Sequence, residues 1–155
     1  MNKRLIFGHL AILFIALSGC SDATNTAQSR IADAKHDNTL GMTFVTAHIP
    51  ADMPQDQKMH ETIEIVSYVI SQQPSDKPIG VDVRTKSETG DVEPFFSIGF
   101  LETPRPSFKK AEESLNGNSF FTFSKDGRKA FLTWCGKNRN YAPDTCAKAF
   151  VQSAQ

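Results

Sequence analysis

The stretch "NSFFTFSKDGRKAFLTWC" (118–135) decides how the rest of the chain is read. Asp126-Gly127 is the pair favoured by a two-residue type I′ turn, because both central positions take positive φ. Read that way, Lys125 faces Arg128, Phe123 faces Ala130, Phe121 faces Leu132 and Ser119 faces Trp134. This register puts Phe121, Phe123, Ala130, Leu132 and Trp134 on one apolar face, so the turn and its packing surface agree. Phe120 and Phe131 become diagonal neighbours on the opposite face, around Thr122 and Thr133. Either a helix covers that aromatic face or it docks a partner.

Working toward the C-terminus, Cys135 and Cys146 enclose "GKNRNYAPDT", a polar loop able to turn back. In an exported protein two such cysteines pair most simply with each other, contributing roughly 2–3 kcal/mol. "PDTCAKAFVQ" then reads as a helix that the disulfide ties to the last strand.

Toward the N-terminus, "PFFSIGFLE" (94–102) sets Phe96, Ile98 and Phe100 on one face and Phe95 on the other. "IGVDVRT" (79–85) turns Ile79, Val81 and Val83 inward and Asp82 and Arg84 outward. With "KSETGD" between them the two form a hairpin. Ser107 caps a short helix, "FKKAEESLNG", closed by Gly117. Further back, Asp52 offers an N-cap with Gln55 three residues on, and Met59, Ile63, Val66 and Ile70 form a helical stripe. The β-branched "TIEIVSYVI" leaves a strand open over 60–71. "MTFVTAHI" (42–49) alternates as a strand. The resulting expectation is α+β: a small antiparallel sheet of about five strands with two to three helices packed on one face.

Residues 21–39 are mostly Ala, Ser, Thr, Asn, Asp and Gln, with Ile31 the main large apolar residue. Such a composition offers little surface to offset ordering entropy and reads as a flexible tether, reaching about 25 Å. The chain opens with Lys3 and Arg4 and the 13-residue run "LIFGHLAILFIAL". That run is too short to span a bilayer and fits a secretory signal.

Leu17-Ser18-Gly19-Cys20 resembles the lipobox of bacterial lipoproteins. The resemblance implies cleavage before Cys20, a diacylglyceryl group on its thiol and acylation of the new N-terminus, including palmitate-type chains. Several acyl chains hold a protein durably where one does not. Ser21 rather than aspartate follows Cys20, which is similar to outer-membrane members, while Asp22 keeps the inner membrane open. The domain reading is a signal peptide over 1–19, lipidated Cys20 and tether over 20–39, and one globular periplasmic domain over 40–155.

Formal charge is zero over the chain. Residues 20–104 carry 6 basic and 13 acidic side chains, and 105–155 carry 9 and 4. Lys125, Arg128 and Lys129 crowd the expected hairpin tip, with Lys137 and Arg139 one strand-length away. An anionic partner or simple edge protection explains them. Together with Phe120 and Phe131 they are the candidate partner-binding residues.

Nucleophile elbows, phosphate-cradling glycine loops and His-Glu-x-x-His are absent from the sequence. His36, His48 and His60 match no ligand spacing, so no metal or other cofactor is expected. Glu61 with Glu64, and Glu112 with Glu113, read as solvated helix surface rather than a glycan-cleaving pair. The expectation is a non-catalytic envelope module that binds another protein, as an inhibitor, immunity factor or assembly accessory, and no nucleic acid. Binding of a small ligand or wall polymer is the alternative, followed by a peptidoglycan hydrolase.

Overall fold

The computed structural model describes residues 21–39 and 41–152, so the signal segment and Cys20 lie outside it. The elements are α1 (Ser21–Arg30), β1 (Ile31–Asp37), β2 (Met42–Pro50), α2 (Gln55–Gln72), β3 (Ile79–Lys86) and β4 (Val92–Phe100). A 3₁₀ turn (Ala111–Leu115), β5 (Phe120–Phe123), α3 (Lys125–Asn138) and α4 (Pro143–Gln152) follow. The five strands form one sheet in chain order, and the fold is α+β. Three neighbouring pairs are antiparallel, as expected, but β2 and β3 run parallel. A parallel pair needs a crossover, and α2 supplies it.

The stretch 118–135 is not a hairpin. Strand β5 ends at Phe123, and the chain then enters α3. Ser124 sits in extended backbone at the N-cap, and its Oγ accepts the Gly127 N–H at 3.1 Å. Asp126 lies in the first helical turn, where the helix dipole favours an anion. The positive-φ glycines among the described residues are Gly41, Gly90 and Gly117, so Gly127 makes no type I′ turn. Its role is close approach: a Cβ there would collide with the Phe95 carbonyl oxygen. Gly127, Ala130, Phe131 and Cys135 are buried at helical spacing, with Trp134 packed beside them. A period near 3.6 therefore overrides the Asp-Gly pair.

Phe131, expected on the face opposite the core stripe and as a candidate for binding a partner, is 0% exposed. Its ring lies 5.4 Å from Phe96 and 5.8 Å from Phe121 and stacks on Trp134 at 5.9 Å. Burying such a side chain contributes roughly 2–3 kcal/mol. Phe95 is also buried, because a bulge between Val83 and Arg84 leaves it without a β3 partner and alters the alternation.

The expected tether is folded through Asp37. Ala27 of α1 is buried, Arg30 pairs with Glu61 of α2 at 2.9 Å, and β1 hydrogen-bonds along β2. The strand count of five thus survives with a different member: β1 replaces the expected strand at 128–135. The α2 stripe is as expected, although Pro54 rather than Asp52 stands at the N-cap. Cys135 and Cys146 are bonded, with Cα atoms 5.6 Å apart, and the bond joins α3 to α4 rather than a strand to a helix. The segment expected to form a Ser107-capped helix contains the 3₁₀ turn capped at Lys110.

Candidate functional site

The strand registers sort the sheet into two faces. Val45, Ala47, Ile49, Val81, Val83, Phe96, Ile98 and Phe121 point into the core beneath the helices. The alternate residues form the other face, and Thr46, His48, Asp82, Arg84 and Ser97 on it are partly exposed.

Three rows cross this open face. The first runs Lys35, Phe44, Gly80, Gly99, Phe120 from β1 to β5. A Cβ on Gly80 would meet the Phe44 ring, and one on Gly99 would meet the Phe120 ring. The two glycines therefore make a floor on which the flanking rings lie. Phe120 remains 40% exposed, and Leu101, whose N–H donates to Ser119 Oγ at 2.8 Å, is 46% exposed beside it. The second row is Asp33, Thr46, Asp82, Ser97, Thr122. Its centre is fixed: Asp82 accepts from Ser97 Oγ at 2.5 Å and from Arg84 Nε at 2.6 Å. His48 and Arg84 pair in the third row, with Lys86 beyond them. The face grades from aromatic to polar to basic.

The expected partner-binding residues do not form one surface. Phe120 stands on the open face and Phe131 in the core. Lys125, Arg128 and Lys129 occupy the start of α3 in the helical layer, while Lys137 and Arg139 lie at its far end. Asp126 turns toward α2 instead of capping a hairpin: it accepts from Gln55 Nε2 at 2.6 Å and lies 3.6 Å from the buried Lys58 ammonium.

His48 belongs to the open face and His60 to α2, so they do not approach as a pair. Among the described residues, no group of three or more His, Cys, Asp or Glu is placed to hold a metal ion. Glu61 is engaged by Arg30, and Glu113 Oε2 accepts the N–H groups of Lys109 and Lys110. No described helix is long and apolar enough to cross a membrane.

A second feature, missed in the sequence, is a half-open cavity of about 340 Å³ at the C-terminal end of α2. Ile70, Phe100, Arg105, Ser114, Asn116 and Tyr141 are among its walls. Arg105 is only 7% exposed and donates to the carbonyls of Ile70 (3.3 Å), Gln73 (2.9 Å) and Lys77. It thereby closes the end of α2, where carbonyl groups lack helical partners. Burial lowers the Arg105 pKa, and attraction to Asp76 opposes that shift. Near the cavity, the Tyr141 hydroxyl accepts from Lys110 Nζ at 3.2 Å and so raises the lysine pKa.

Among the described residues, fold and surface define a two-layer α+β domain with one helical layer and one open sheet face. No family model, curated protein or solved structure matches the chain.

Proposed function

We propose that this protein is a lipid-anchored, non-catalytic envelope module that binds another envelope protein through its open sheet face. The observation carrying this reading is the face itself: a glycine-floored pair of aromatic rings beside a fixed polar centre and a basic end. The complementary partner surface presents an apolar patch next to acidic side chains.

Lipidation at Cys20 rests on the lipobox resemblance. Helix α1 begins at Ser21. A lipid on Cys20 therefore holds the domain close to the bilayer rather than at the end of a long tether, and an outer-membrane, periplasm-facing position agrees with Ser21. Replacing Cys20 by Ser is expected to move the intact domain from the membrane to the soluble fraction. Cys20→Ser protein that still sediments with membranes would show a second anchor.

The partner reading is tested by crosslinked recovery of the lipidated chain from its host envelope. One stoichiometric protein whose recovery falls at least about tenfold in Phe120→Asp supports it, as truncation of a central aromatic anchor predicts. Recovery of bait alone removes it.

A further inference from the structure

We propose that one end of the domain, built from the last turn of α2 and the segments 73–78 and 101–110, rests on the phospholipid surface. The proposal rests on the lipid-anchor reading of Cys20 and adds to it which part of the domain meets the bilayer.

The first argument is the path of the chain. Helix α1 begins at Ser21, so a lipid on Cys20 lies one residue, about 3.8 Å between Cα atoms, from a folded element. Helix α1 runs antiparallel to α2: Arg30 pairs with Glu61 at 2.9 Å, whereas Thr24 lines a hollow with Tyr68, Ser71 and Gln72. The start of α1 therefore stands beside the last turn of α2. Acyl chains seated in a leaflet bring that end of the domain to the headgroups. The 18 residues of α2 span about 27 Å, which sets the opposite end well apart.

The second argument is the surface at that end. The Arg105 backbone N–H donates to the Ser75 carbonyl at 2.9 Å, and its guanidinium donates to the carbonyls of Ile70, Gln73 and Lys77. Segment 101–110 is thereby pinned to segment 73–78. The Pro78 carbonyl accepts the Thr43 N–H at 3.4 Å and ties both to the start of β2. This platform presents Leu101, which is 46% exposed, the partly buried Phe108, and the exposed Lys77, Lys109 and Lys110. Apolar side chains among ammonium groups suit the interfacial zone of an anionic leaflet. Asp76 and Glu102 are exposed there too, one fewer than the lysines. At the opposite end Asp52, Glu88, Asp91 and Glu93 are exposed around Lys86, and anionic headgroups repel such a surface. Charge and chain path thus favour the same orientation. The consequence for the open sheet face is that Phe44 and Phe120, near the starts of β2 and β5, lie on the bilayer side, with His48, Arg84 and Lys86 away from it.

The test uses the full lipidated chain in vesicles of phosphatidylethanolamine and phosphatidylglycerol that contain a lipid with a nitroxide on its headgroup. A fluorophore is placed on Asp76→Cys or Lys109→Cys at the proposed contact, and on Asp52→Cys or Glu88→Cys at the opposite end. All four positions are exposed, and Cys135 and Cys146 are bonded to each other, so the label goes to the new thiol. The expected result is loss of fluorescence at 76 and 109 and none at 52 and 88. Equal quenching at both ends, or stronger quenching at 52 and 88, in a chain that mass spectrometry shows to be lipidated would overturn the proposal and leave the anchor standing. Protection of 76 and 109 from both the nitroxide and aqueous iodide would show a second copy covering this end, and would overturn it too. A chain that carries no lipid and leaves the vesicles would remove the anchor reading and this proposal with it.

Discussion

Gly127 and Gly136 lie on one helix in opposite surroundings. A Cβ on Gly127 meets the Phe95 carbonyl, whereas one on Gly136 meets nothing within 4 Å. Gly127→Ala should therefore destabilise by about 1–3 kcal/mol, and Gly136→Ala should stabilise by roughly 0.5–1 kcal/mol. Urea unfolding monitored by the single tryptophan reads both. Equal effects would contradict a helix over 125–138. Arg105 offers a second test at this scale: Arg105→Lys leaves carbonyls at the end of α2 unpaired and should cost about 1–3 kcal/mol. No stability change would mean that water replaces the guanidinium. The strand alternation at Val45, Ala47, Val81 and Val83 was legible residue by residue. Phe95 was not, because a bulge is set by the partner strand. Nor was Arg105, whose carbonyl partners are 28 to 35 positions away.

At the scale of elements, α2, β3, β4 and α4 follow from periodicity and bounding turns. Helix α3 illustrates a conflict between two local signals. Asp-Gly favours a tight turn, but Ser124 followed by buried positions at helical spacing favours a helix start, and the fit of Phe131 among Phe96, Phe121 and Trp134 decides between them. Residues 21–37 failed as a tether reading because composition weighs isolated burial, whereas β1 gains its hydrogen bonds from β2. Limited proteolysis of the lipidated chain should accordingly spare 24–37. Rapid cutting there would restore the tether. The Cys135–Cys146 bond ties α4 to α3, and Asn118 and Thr145 supply further contacts to the 3₁₀ turn. Cys135→Ser with Cys146→Ser should cost about 2–3 kcal/mol and raise amide exchange in α4 before the sheet. Simultaneous exchange throughout would show that α4 is not a separable unit.

For the whole molecule, the acidic and basic halves of the sequence do not become two poles. Strands β1 to β4 come from the acidic part, yet their open face ends in His48, Arg84 and Lys86; much of the basic part lies in the helical layer. The candidate face was therefore only partly readable: Asp82 and Arg84 point outward in the sequence alternation, but the alignment of Phe44, Gly80, Gly99 and Phe120 exists only once four strands are in register. The most direct measurement is photocrosslinking in the native host envelope, with the probe placed at Thr46 or Thr122 on the open face and at Gln72 or Lys148 in the helical layer. The binding reading predicts one protein partner, captured from the sheet positions and not from the helical ones. Capture from the helical positions alone, or of no protein from any position, would contradict it.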